Sequence, residues 1–213
     1  MEYYRLTIPI PKRPLQLLKF RISTVLLLTA ILAIALAWHR DHKRLATQIR
    51  KSQIVTGAWS PSEATGPPNT VGFGDIDSSW ASRTCDDSKE WLELEYDHAV
   101  VPTSIVIYEN NAPGAVTKVT HISYWGNETT IWEGTDPTAV GTSGGVSRLP
   151  ITAGIKTGHI KIYIDSRAVP GWNEIDAVGL EYGDNQVIWA TEATASSTFA
   201  QPWPPYPPYG VVY

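Results

Sequence analysis

Three carboxylates fall where a strand pattern points inward. In "NEIDAVGLEY", residues 173–182, an alternation of period two puts Glu174 and Asp176 on the side of Val178 and Leu180. In "SIVIYE", residues 104–109, Glu109 likewise follows Ile105 and Ile107. An acid on a buried face must be hydrogen-bonded, paired with a cation or bound to a metal. Two chemistries use such acids. In the structural one, Glu109, Glu174 and Asp176 brace the fold; Glu109 and Asp176 accept backbone N–H groups of a turn such as residues 110–114, or meet Arg148 or Arg167. The other is a paired-carboxylate hydrolase. No set of nucleophile, base and orienting group accompanies these acids, and no G-x-S-x-G elbow is present. The chain is therefore expected to be non-catalytic.

The elements that must position these acids are strands. "WLELEY", residues 91–96, alternates Leu92 and Leu94 with Glu93 and Glu95, and "HIKIYID", residues 159–165, alternates three isoleucines with Lys161 and Tyr163. Further strands are expected at 104–108, 116–124, 129–132 and 175–181. Turn residues recur about every ten positions, the spacing of a sandwich or barrel. Between the strands at 104–108 and 116–124 lies "ENNAPGA", whose Asn111, Pro113 and Gly114 suit a reversal with unusual or pre-set backbone angles. No useful helix interrupts the body, so the expected fold is all-β: two antiparallel sheets packed face to face.

Ahead of the body, residues 22–38 read "ISTVLLLTAILAIALAW", an uncharged run near the lower limit for a transmembrane helix. An uncleaved anchor is favoured over a signal peptide cut after Ala35-Leu36-Ala37, because no polar break precedes that triplet. Basic residues flank the run on both sides, five before and five closely after, so charge barely orients it. Export of the body to the extracytoplasmic side is the expectation. The division is a basic tail (1–21), a single-pass anchor contacting membrane lipid (22–38), a basic juxtamembrane stalk (39–52), the β-body (53–183) and a Pro/Tyr/Trp-rich tail (184–213).

Charge follows this division. Residues 1–51 carry +8 and the rest −12, which sum to the overall −4. An acidic, Trp-rich body repels a phosphate backbone, so nucleic acid is excluded as its partner. Cys85 is the only cysteine, so neither an intramolecular disulfide nor a Cys-based zinc site exists.

The joint order of four motifs, "SEATGPPNT" (62–70), "WLELEYDHAVVPTSIVIYENNAPGAVTKV" (91–119), "IWEGTD" (131–136) and "GWNEIDAVGLE" (171–181), resembles a galactose-binding-like, discoidin-type jelly roll. The version resembled is that of pappalysin-type proteins and of a leucine-rich-repeat F-box protein. The resemblance implies a jelly-roll β-sandwich whose end loops bind ligand, without catalysis. It makes Trp80 and Trp172 candidate ligand contacts, with Asn110 and Arg167 as polar neighbours. It also implies a structural calcium ion as the one candidate cofactor, with Asn69, Asp75, Asp77 and Glu181 at comparable places. "GFGDIDSSWAS" (72–82) matches the relatives' D-G-x-x-x-T-x-W-x-S loop only loosely. The function expected is a membrane-anchored binding module for carbohydrate or a surface protein. The alternative is a protein-interaction scaffold without a small ligand.

Overall fold

The computed structural model describes residues 22–52 and 56–200. The basic tail at 1–21 and the end of the aromatic tail at 201–213 lie outside the described residues. Two compact units are present, dividing near residue 50.

The first unit is a helix, α1, Ile22–Ser52. Its stretch Thr24–His42, 19 residues with mean hydropathy 1.4, is long and apolar enough to cross a membrane, and none of it is buried. At 1.5 Å per residue it extends about 28 Å, close to the thickness of the hydrocarbon layer. The helix runs on without a break into the basic segment. Trp38 and His42, one turn apart, stack at 4.6 Å.

The second unit is all-β. Its strands are β1 (Trp80–Ala81), β2 (Lys89–Val100), β3 (Ser104–Asn111), β4 (Val116–Ile122), β5 (Glu128–Glu133), β6 (Gly145–Pro150), β7 (Thr157–Asp165), β8 (Glu174–Tyr182) and β9 (Gln186–Ala195). They form one curled antiparallel sheet in the order β5-β4-β7-β2-β9-β8-β3-β6, with β1 on β8. β9 joins the two layers: its first half pairs with β8 (Gly179↔Trp189) and its second with β2 (Leu92↔Ala195). The expected body therefore has to be extended. A boundary at 183 would cut off a central strand, and residues 184–195 belong to the sandwich rather than to a tail.

The alternation in the sequence accounts for the core. Leu92 and Leu94 pair with Ile162 and Ile160 across β2 and β7, and Val119 of β4 pairs with Ile162. All five are fully buried. Ile105 and Ile107 of β3, Leu149 of β6, and Val178 and Leu180 of β8 join the same cluster from the other layer. On the outer face Glu93 pairs with Lys161 at 3.0 Å and with His159 at 2.9 Å, the expected wet side of that layer.

Candidate binding site at the bulged end of the sandwich

At one end of β3 and β8 the ladder is broken twice. Tyr108 pairs with Ala177 but Glu109 with Ile175, so Asp176 is an extra residue; Asn111 then pairs with Glu174, so Asn110 is extra as well. Two bulges in succession re-aim the side chains around them. Ile175, Val178 and Leu180 all join the core, which a straight strand forbids. The bulge at Asp176 absorbs the mismatch and leaves Glu174 on the face opposite Ile175.

Each acid finds a different setting. Glu109 stays on the inward face with Ile175. One of its oxygens accepts the N–H of Gly114 at 3.3 Å and the other the hydroxyl of Ser147 at 2.7 Å. Ser147 also meets Asp136, whose carboxylate accepts the N–H groups of Val116 (3.1 Å) and Thr138 (3.0 Å). Ser147 has a single hydrogen for two buried carboxyl groups. Burial, and then the charge of Asp136, push the Glu109 carboxyl up to about 8.

Glu174 lies under the segment 69–79, which crosses this end as a strap. It accepts the N–H of Ile76 (3.1 Å) and the amide groups of Asn110 (3.1 Å) and Asn111 (3.2 Å), and burial raises it to about 7. Asp176 holds the other end of the strap by accepting from Asn69 N (3.3 Å), Thr70 N (3.2 Å) and the Thr70 hydroxyl (2.8 Å). Asn110 returns a bond to Gly74 O at 3.1 Å and accepts the N–H of Gly74 at 2.7 Å. The acids thus hold backbone in place, and their partners are N–H and hydroxyl groups rather than Arg148 or Arg167.

The turn "ENNAPGA" is held from both sides. Ala112 and Gly114 have φ of 42° and 105°, and Asn173 donates to Ala112 O at 2.5 Å. A Cβ on Gly114 would approach Val140 to 2.9 Å and Thr138 O to 3.1 Å. We expect Gly114→Ala to lower stability by about 1.5 kcal/mol through the strained φ and this crowding. Chemical denaturation of the variant measures it, and an unchanged midpoint would contradict the geometry.

Beside the strap is an open recess of about 290 Å³ lined by Trp59, Asp75, Ala81, Trp172, Glu174 and Phe199. Trp172 therefore lines a cavity. Trp80 does not: it is fully buried in β1, where its indole N–H donates to Ser197 O at 3.2 Å, so it is a core residue. Asn110 is buried and occupied with the strap. Arg167 instead forms a two-pronged pair with Asp165 at 2.8 and 2.9 Å.

The expected calcium set is not brought together. Asn69, Asp75 and Asp77 lie on the strap, whereas Glu181 is seven residues from Glu174 along β8, about 23 Å away, and pairs with Arg148. Among the described residues no group of three or more His, Cys, Asp or Glu side chains is placed to hold a metal ion. Nothing in the sequence marks Asp136, Ser147 and Phe199 as site residues. Asp136 and Ser147 reach Glu109 from 27 and 38 positions along the chain, and nothing local marks the meeting.

In architecture the body is an all-β sandwich with a bulged, loop-crossed end. The sequence model of the family described as pappalysin-1, SD scarf domain, C-terminal, matches residues 44–190. That is roughly two thirds of the chain, and the chain belongs to this family. No curated protein matches it.

Proposed function

We propose that the chain is a membrane-tethered, non-catalytic recognition module whose bulged sandwich end takes the partner, a surface protein in the first place. The observation that carries this reading is the exposed strap. Val71 is 93% and Phe73 64% exposed, while the acids beneath them are committed to backbone N–H groups. An apolar tip on a braced loop is the arrangement of a contact surface. The acids support a non-catalytic role, since Ser147 is fully buried between two carboxyls and His121 and His159 lie on the other layer, on Thr157 and Glu93. The finer kinship with galactose-binding, discoidin-type sandwiches belongs to this reading. So does a second ligand class, carbohydrate, favoured by the half-buried indoles of Trp59 and Trp172, whose faces could stack on sugar rings.

In this reading residues 22–38 anchor the chain, 39–52 form its stalk and the body faces the extracytoplasmic side. The sequon at Asn127, on the exposed β4–β5 turn, reports that side. Translation into microsomes should add a glycan that Asn127→Gln removes, and the product should resist alkaline extraction. An unglycosylated or extractable chain contradicts the topology or the anchor, respectively. For recognition, the full chain in nanodiscs is screened against cell-surface proteins and glycans. Val71→Asp with Phe73→Asp should abolish any hit made by this end, and retained binding sinks the assignment of the surface.

A further inference from the structure

The recess beside the strap is built from distant segments. Trp59 precedes the short turn Pro61–Ala64, Trp172 precedes β8, and Phe199 follows β9. The Phe199 ring lies 5.2 Å from Trp59 at 70° and 5.9 Å from Trp172 at 84°, so the two indoles stand nearly upright against it. Phe199 remains 37% exposed.

Two features suggest that these rings are there for their faces. Trp59 holds φ at 55°, an unfavourable region for a bulky side chain, and is kept there by Trp59 N→Asp77 O (2.9 Å) and by Thr198 donating to Trp59 O (2.7 Å). The indole N–H of Trp172 is buried and has no acceptor among the described residues, so no hydrogen bond dictates how its ring is set.

The charged groups lining the recess are both acids, Asp75 and Glu174. Glu63 lies in the same field: its carboxyl is raised by burial and then by the charges of Asp77 and Asp176. Aromatic faces combined with negative charge attract a cation. Both oxygens of Glu174 are already engaged by N–H donors, from Ile76, Asn110 and Asn111. The recess therefore offers charge and ring faces, with the Asp75 carboxylate, among the described residues, as its one acid not already engaged by N–H donors. An ammonium or guanidinium needs several such acceptors for its N–H groups. A quaternary ammonium needs none and is weakly hydrated. The volume, near the lower end of small-ligand pockets at roughly 300 Å³, suits a head group of that kind.

We infer that the recess formed by Trp59, Trp172 and Phe199, with Asp75 and Glu174, binds a quaternary ammonium group of the choline type. This goes beyond the recognition of a macromolecular partner, and choline binds or fails to bind whether or not that partner exists.

The test uses the full chain in a maltoside detergent free of choline, at a pH of about 8.5 so that Glu174 is ionised. Saturation-transfer NMR of the N-methyl signal and calorimetry compare choline with 3,3-dimethyl-1-butanol, its neutral isostere, and with ethanolamine, its primary ammonium counterpart. Choline should bind at least about tenfold more tightly than the neutral alcohol, a ratio equal to about 1.4 kcal/mol, and more tightly than ethanolamine. Trp172→Ala should abolish the signal. Asp75→Asn, at an exposed position, should weaken binding severalfold, with near-UV circular dichroism confirming that it is folded. Equal binding of the neutral alcohol means an apolar hole and overturns the inference. So does ethanolamine binding as well as choline, the absence of a choline signal, or unchanged affinity in a folded form of either variant.

Discussion

Raising the pH from about 6.5 to about 9 should destabilise the β-body by about 2 kcal/mol, and Glu109→Gln should remove most of that slope. The cause is the buried carboxyl pair around Ser147. Glu109 titrates near the ordinary 4.5 when unfolded and near 8 in the fold, so between these values the native state holds a proton that the unfolded chain has released. Stability is then fully present below about 4.5 and falls as pH rises, by about 1.4 kcal/mol per unit, until it levels off above about 8. Glu174, raised to about 7, adds to the lower part of the window, and Glu63 shifts in the same direction.

The window is chosen to leave out opposing groups. His121 is held below 6.5 by burial and then by the charge of His159, so its contribution is lost as pH falls and acts below about 6.5. Asp87 and Asp165, lowered by hydrogen bonds from Thr84 and Arg167, act only in the acid range, below the ordinary carboxylate value. Tyr163 and Lys161, both raised, matter only above about pH 10. The amide introduced by Glu109→Gln would keep the shape of the protonated acid without the charge, so the variant should be more stable than the parent at pH 9 and similar near pH 6.5. Urea midpoints followed by tryptophan fluorescence decide the matter. Equal midpoints for the parent at both pH values, or an unchanged slope in the variant, would contradict a shared proton at Glu109.

How much of this was legible before the structure depends on where water touches the sheet. β2 and β7 could be read directly because Glu93, Glu95, Lys161 and Tyr163 alternate with the buried residues. β9 could not. "QVIWATEATA" turns back on β8 through the tight connection at 183–185, but its second half pairs with β2, far away in sequence, and its burial lacks the clean alternation of β2 and β7. β6, "GVSRLP", is short, opens on glycine and ends on proline, both weak strand formers. The acids show a subtler limit. Period-two counting finds Glu109, Glu174 and Asp176 buried, and all three are. It also groups Glu174 with Val178 and Leu180, whereas the bulge at Asp176 turns Glu174 to the other face, under the strap. A bulge adds one residue to a ladder and leaves no mark in the alternation itself. Trp80 and Trp172 divide for a related reason: equal in type and both near turns, they are separated by a two-residue strand that puts one into the core.

Asp176→Ala should release the strap, with a loss of about 3 kcal/mol and a local rather than a global change in dynamics. The substitution deletes the acceptor of Asn69 N, Thr70 N and the Thr70 hydroxyl together. Water can reach the exposed Asn69, but the half-buried Thr70 loses its anchor, apart from bonds from its hydroxyl to Ser78. Asp176→Asn keeps an oxygen in place and loses only the charge, so it should cost about 1 kcal/mol. Hydrogen exchange separates a loose strap from a weakened fold. The amides of Thr70, Gly74 and Ile76 should lose protection in Asp176→Ala, since the last two bond to Asn110 and Glu174 beneath the same strap. Those of Leu92, Leu94 and Ile162, in the other layer, should keep a protection reduced only by the global loss. Uniform loss across both layers would mean that Asp176 supports the sheet itself rather than the strap. Because Asp75 rides on the strap and lines the aromatic recess, its release also moves one of the two charges there. The bulge that places Asp176 thereby ties an irregularity in the ladder to the shape of the surface that a ligand meets.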